Sequence, residues 1–221
     1  MFSKRLEVLS KYICPYKQFA DIGCDHGYLI IESIINNEVE FAYGIDNKKG
    51  PLNNAKNNMV KFNIPEDKYK LVLTSGLKDL PQDIKCVVIA GMGTDNIKTI
   101  ISSSFDKLSN IDRIITDSHR NLGDLRSFMA NLNYSIVNEE ILLEDNKYYE
   151  IIVFEKSLTP VIYSSDEIEF GPILLQKKNE IFISKWENEL VKLQDIYDKC
   201  SSKSVLEKIE RIKKILWKLV V

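Results

Sequence analysis

Seven consecutive residues, Asp21-Ile22-Gly23-Cys24-Asp25-His26-Gly27, gather two carboxylates, an imidazole and two glycines into one short loop. Glycine tolerates positive φ and lets a ligand approach the main chain without meeting a side chain. An apolar run from Tyr28 to Ile35 follows, so the loop is expected to join a strand to a helix. In a doubly wound sheet that junction opens a crevice at the carboxyl ends of the strands, where ligands bind. A second apolar run ends Tyr43-Gly44-Ile45-Asp46. Asp46 thus follows Gly23 at close to the ~20-residue spacing at which an acid grips ribose hydroxyls. A cofactor with a free ribose diol fits. Asp25 occupies the position that is glycine in the dinucleotide fingerprint G-x-G-x-x-G, and its carboxylate would repel a pyrophosphate while attracting an ammonium or sulfonium. The loop therefore favours S-adenosylmethionine (SAM) over a nicotinamide dinucleotide.

The elements that must position this loop are short β-branched runs at 19–22, 41–45, 69–73, 87–90, 113–116, 134–137 and 151–154, with helical or turn-like segments between them. Strands alternating with helices predict an α/β fold, a Rossmann-like, seven-stranded, mostly parallel sheet covered on both faces, with the last two runs as an antiparallel hairpin at its edge. Thr74-Ser75-Gly76-Leu77 follows the third run and Ala90-Gly91-Met92-Gly93 the fourth. These place Ser75 and Gly76 where a flat purine would lie, and Gly91 and Met92 beside the transferred group. Residues 1–157 are expected to form this domain. Residues 158–221 read as a polar linker, a helix start at Gly171-Pro172, and an antiparallel helical hairpin. Its seams are Ile183, Trp186, Leu190, Leu193 and Tyr197, then Val205, Ile209, Ile212, Leu216 and Leu219. Ser204 with Glu207 suggests a capping box at the second helix.

With 44% hydrophobic and 28% charged residues the chain can bury a full core. Its apolar runs fall short of the ~20 residues needed to cross a bilayer, and the first residues lack the apolar core of a secretory signal. A cytoplasmic protein without a membrane anchor is expected. The cysteines at 14, 24, 86 and 200 and the two histidines make no metal-ligand spacing, so no metal is expected. The formal charge of −2 excludes wholesale coating by nucleic acid but not a local basic patch. No stable protein partner is evident.

The segments ADIGCDHGYL (20–29), GIDNKKGP (44–51), SGL (75–77), AGMG (90–93), KYYEIIV (147–153) and FGP (170–172) together resemble the bacterial tRNA (adenine-22 N1) methyltransferases over nearly the whole chain. The resemblance implies a SAM-binding Rossmann-like domain with a coiled-coil-like extension, and methylation of an adenine N1 in the D-loop region of tRNA. On matching positions it implies that Asp21, Gly23, Asp25, His26, Asp46, Gly76, Gly91 and Met92 line the cofactor site, with Cys24, Gly27 and Ser75 in the same loops. The chain departs from the family at Asp117-Ser118-His119, where many members carry Gln-Pro-Asn.

Adenine N1 bears an in-plane lone pair, so the chemistry asks for alignment and no prior proton removal. An exocyclic amino acceptor would favour an Asn/Asp-Pro-Pro-aromatic loop after the fourth strand, which Ala90-Gly91-Met92-Gly93 is not. Because the product base is cationic, a carboxylate nearby could stabilise the transition state, and Asp25, Asp95 and Asp117 are the candidates. Tyr148 or Tyr149 could stack on the extruded base. Arg5, Arg120, Lys4 and Arg126 are candidates for phosphate contacts, and His119 for the acceptor side. Residues 171–221 hold 11 Lys or Arg against 7 Asp or Glu. Competing expectations are a SAM enzyme acting on another RNA or a small molecule, and a silent RNA- or partner-binding module.

Overall fold

The computed structural model describes residues 2–36 and 39–217. Helix α1 (Lys4–Ile13) precedes β1 (Gln18–Ile22), and α2 (Tyr28–Asn36), β2 (Phe41–Asp46), α3 (Lys49–Lys61) and β3 (Tyr69–Leu73) complete one half of the sheet. The other half is β4 (Cys86–Ala90), α4 (Thr94–Ser102), α5 (Phe105–Leu108), β5 (Arg113–Ser118), α6 (Leu122–Asn131), β6 (Tyr134–Glu144) and β7 (Lys147–Lys156). The seven strands lie in the order β3-β2-β1-β4-β5-β7-β6. β1 to β5 are parallel, and β7 runs antiparallel between β5 and β6. The strand order reverses between β1 and β4, which puts the crevice for a ligand above those two strands.

All seven expected strands are present. β1 and β4 are buried almost throughout because helices cover both faces, which is why their runs read as continuously apolar. One core cluster packs α1, α2 and α3 on one face, through Leu9, Ile30 and Met59. The other packs α4 and α6 on the opposite face, through Ile97, Ile101 and Leu125.

The segment after β7 is more ordered than a linker. It holds α7 (Ser165–Phe170), opened by a capping box between Ser164 and Glu167, and α8 (Pro172–Lys177). Gly171 joins them at φ +86°, and a Cβ there would fall 2.6 Å from both Glu139 carboxylate oxygens, so only glycine fits. The hairpin follows as α9 (Glu180–Cys200) and α10 (Lys203–Trp217). Phe182, Trp186, Leu193, Ile209, Ile212 and Leu216 form a third core with Ile141 of β6 and Phe170 of α7. Leu219 lies outside the described residues. The capping box expected at Ser204 does not form, because α10 has already begun at Lys203: Leu206 N–H donates to the carbonyl of Ser202, and Ser204 Oγ sits 2.9 Å from Ser202 Oγ.

Candidate active site

β1 and β2 pair with Asp21 opposite Gly44 and Ile22 opposite Ile45, so Asp21 and Asp46 reach the same edge of the sheet. Beyond Ile22 the backbone folds over the end of β2, with the Gly23 and Cys24 N–H groups donating to the Ile45 carbonyl at 2.7 and 3.0 Å. Gly23 and Asp25 take positive φ, +77° and +44°. Aspartate is among the few non-glycine types that tolerate this region. A Cβ at Gly23 would lie 2.2 Å from Met92 Cε, so the thioether after β4 rests directly on the glycine backbone.

Two depressions meet at Gly23, Asp46 and Met92. One, of about 540 Å³, is lined by Asp46, Ser75, Gly76 and also Asn47, Asn96 and Ile100. The second, of about 530 Å³, is lined by Asp21, Asp25, His26, Gly91, His119 and Arg5, with Cys24 at its base. Burial, followed by the neighbouring charges of Asp46 and Asp25, pushes the Asp21 carboxyl up to about 7. Three carboxylates converging on one crevice gain from a cation placed among them. That suits the ammonium and sulfonium of SAM and opposes a pyrophosphate, with Asp46 free to face a ribose in the first depression. Among the described residues no cluster of His, Cys, Asp and Glu is suited to a metal.

Not every loop residue faces this space. Gly27 lines neither depression. A Cβ there would lie 2.8 Å from Met59 Cε and 3.1 Å from Ala55 Cβ, so Gly27 serves the close packing of the loop on α3. Cys24 reaches the second depression only from the core, 5% exposed, where burial pushes its thiol up and keeps it unreactive. Asp95 also lies apart from both, on a shallow recess with Lys98 and Ser102 at the start of α4. Asn47 and Asn96 were absent from the expected set. Asn47 follows Asp46 directly at the same strand end; Asn96 has only its place in the first turn of α4 as a signal.

Beside the second depression, β5 delivers Asp117, fully buried, with Oδ2 3.2 Å from Arg5 Nη1 of α1. Burial raises the Asp117 carboxyl, while Arg5 and His119 pull it the other way. The Arg5 guanidinium lies 4.9 Å from the centre of the Tyr149 ring, and the His119 ring meets the same tyrosine edge-on at 4.8 Å. His26 Nε2 is 3.6 Å from Asp25 Oδ2. Arg5, Asp117, His119 and Tyr149 therefore form one group. Both tyrosines stand inside β7 and not before it. Tyr148 faces away from this group, its hydroxyl bonded to Ser184 and Asn188 of α9.

Arg120 opens onto a third depression, of about 620 Å³, which also includes His119, Tyr149, Lys147 and Lys192. Lys4 is exposed at the start of α1, where its backbone N–H donates to Glu144. Arg126 cannot contact a phosphate. It is completely buried, with Nε 2.8 Å from Glu139 and Nη2 2.8 Å from Glu150. Buried charge has to be paired, and these two carboxylates do so from strands distant in sequence.

The family model described as tRNA (adenine(22)-N(1))-methyltransferase matches residues 19–220. A Bacillus subtilis (strain 168) protein named tRNA (adenine(22)-N(1))-methyltransferase is 30% identical over 90% of this chain and 85% of its own. A Streptococcus pneumoniae protein described as a putative tRNA (m1A22) methyltransferase, solved in complex with SAM, superposes with a TM-score of 0.90. It is 31% identical, covering 98% of this chain and 100% of its own. The M. capricolum TrmK structure, in complex with S-adenosyl-homocysteine, gives 0.87 at 31% identity, covering 98% of each chain.

Proposed function

The chain belongs to the tRNA (adenine(22)-N(1))-methyltransferase family, SAM-dependent enzymes that methylate N1 of adenine 22 in tRNA, and we propose that it performs this reaction with the residues gathered at the β1/β4 switch point. The observation that carries the assignment of roles is the meeting of two depressions at Gly23, Asp46 and Met92, one lined by Ser75 and Gly76, the other by Asp21 and Asp25 together with Arg5 and His119. Asp46 binds the ribose, Ser75 and Gly76 flank the adenine of the cofactor, and Asp21 with Asp25 faces its cationic end.

SAM supplies an electrophilic methyl group on a sulfonium. The protein's own task is to hold the acceptor in line, because the N1 lone pair needs no base. Tyr149, held by contacts with Arg5 and His119 and lining the third depression, offers a ring on which the extruded adenine stacks. Asp117 acts through Arg5 as a positioning residue, its charge already matched. Asp25 is exposed at the mouth of the second depression and is the carboxylate that offsets the positive charge of the methylated base. Arg5 and His119 complete the acceptor wall, and Arg120 stands beside it for the RNA backbone. Among the described residues no helix is long and apolar enough to cross a membrane. We place the enzyme in the cytoplasm with its tRNA and assign it no metal.

A D-loop-containing tRNA transcript incubated with SAM and digested to nucleosides should yield 1-methyladenosine by mass spectrometry. Replacing adenine 22 by guanine should abolish it. Undiminished methyl incorporation into the guanine transcript would overturn the assignment of the acceptor.

A further inference from the structure

The base must leave its stack for N1 to be reached, because N1 lies on the Watson–Crick edge; its ribose and flanking phosphates then remain at the mouth of the second depression. Where those phosphates lie is a question of charge. The cofactor side of the mouth carries Asp25 and Asp46 and repels them. The opposite side leads, past His119, into the depression of about 620 Å³ between the ends of β5 and β7 and helix α9; His119 lines both spaces.

This groove is basic once its internal pairs are cancelled. Glu150 is 3% exposed and matched by both Arg126 and Lys185. Lys192 faces Glu189 at 4.0 Å. Arg120 and Lys147 are both exposed, and among the described residues neither side chain forms an ion pair within 4.0 Å, Glu144 standing opposite Lys147 in the hairpin with an oxygen on the Lys4 backbone N–H. The wall is rigid: Tyr148 of β7 bonds Ser184 and Asn188 of α9 at 2.9 and 2.8 Å, beside the Lys185–Glu150 pair. A chain of net charge −2 has no global attraction for RNA, so this local pair of unmatched cations beside the acceptor group stands out.

We propose that the groove between β5, β7 and α9 binds the phosphodiester backbone flanking the target adenosine, with Arg120 and Lys147 contacting its phosphates. The proposal rests on the reading of the chain as a tRNA adenine N1 methyltransferase and names the surface on which the RNA strand runs.

The test uses the full chain and a tRNA transcript. Arg120→Gln and Lys147→Gln should each raise KM for tRNA by about 5–10-fold, leaving SAM affinity by calorimetry at the wild-type value. In the double variant the plot of log kcat/KM against log salt should become shallower by roughly 0.7–0.9 per lost phosphate contact. Lys70→Gln, on the exposed outer strand β3 at the far edge of the sheet, should change neither. Wild-type KM and salt slope in the double variant would overturn the groove while wild-type methylation of adenine 22 continued to support the enzymatic reading. An equal loss with Lys70→Gln would also overturn it, as general charge. Failure of the wild-type protein to methylate tRNA would sink the enzymatic reading itself.

Discussion

Arg126→Met should be strongly destabilising although it lies outside the active site, and its cost follows from the carboxylates it strands. Arg126 is 0% exposed and spends its guanidinium on Glu139 of β6, Glu150 of β7 and the carbonyls of Ile168 and Glu169 in α7. The remaining oxygen of Glu139 accepts the N–H groups of Ile173 and Leu174 at the start of α8, and Lys185 of α9 holds Glu150. With two cations and two carboxylates the cluster is neutral; methionine fills most of the volume and leaves one buried negative charge. Breaking a buried pair from one side costs about 3–5 kcal/mol, a large share of the 5–15 kcal/mol by which domains are ordinarily stable. The pH dependence separates charge from packing. Burial already raises the Glu139 carboxyl despite Arg126, and removing Arg126 raises it further. A group whose folded pKa exceeds its unfolded one contributes stability that is present at low pH and lost as pH rises through the folded pKa. Urea unfolding should therefore show the deficit of the variant relative to wild type largest near pH 8 and smaller near pH 5, and Glu139→Gln added to Arg126→Met should recover part of it. A deficit below about 1 kcal/mol, or one that deepens on acidification, would refute the account of the cluster as a charge-matched joint.

Asp46→Ala should weaken SAM binding by about 1–3 kcal/mol, the worth of a hydrogen bond to a charged group; unchanged affinity by calorimetry would remove Asp46 from the ribose. Asp21, pushed up to about 7, lends the cofactor-free protein stability that is present below the ordinary carboxylate range and lost as pH rises through 7. The wild type should accordingly weaken in urea between pH 6 and 8 while its SAM affinity strengthens over the same range. Asp21→Asn should flatten both profiles, and a wild-type stability rising across that window would contradict the burial argument. Tyr149→Leu should raise KM for tRNA several-fold with SAM affinity unmoved, since ring stacking on a base is worth about 1–3 kcal/mol; equal kinetics on tRNA would take the base off that ring.

The parts of the fold that were legible are those where local pattern and final environment agree. A β-branched run buried on both faces reads the same in sequence and in the sheet, and a glycine-containing loop between strand and helix announces the crevice. Where one residue type serves two environments, the reading divides. Arg126 on an amphipathic helix looks like a surface cation, because the acids that match it come from strands that follow it in the chain. Gly27 belongs to the same loop as Gly23, yet one meets a neighbouring helix and the other a side chain at the crevice. The S-x-x-E pattern occurs at Ser164 and at Ser204, but capping needs an extended residue ahead of the helix. Ser164 has that conformation, with φ −66° and ψ 161°, whereas Ser204 already lies within α10.

The acceptor group shows why the substrate side is harder to read than the cofactor side. Asp21, Gly23 and Asp46 come from consecutive strand ends, so spacing alone joins them. Tyr149 stands about thirty residues beyond His119 and meets it only because β7 inserts antiparallel between β5 and β6, bringing its beginning to the carboxyl end of β5 with Ser118 opposite Glu150. Side chains alternate along a strand, so Tyr149 turns to Arg5 and His119 and Tyr148 to α9, where its hydroxyl is bonded. A one-residue slip in that ladder would exchange the two rings. The ion pairs of Glu150 with Arg126 and Lys185 sit on the very next residue and oppose such a slip, because moving Glu150 to the other face would take this buried carboxylate away from both cations. The joint that anchors the helical hairpin is thus also what holds Tyr149 against Arg5 and His119.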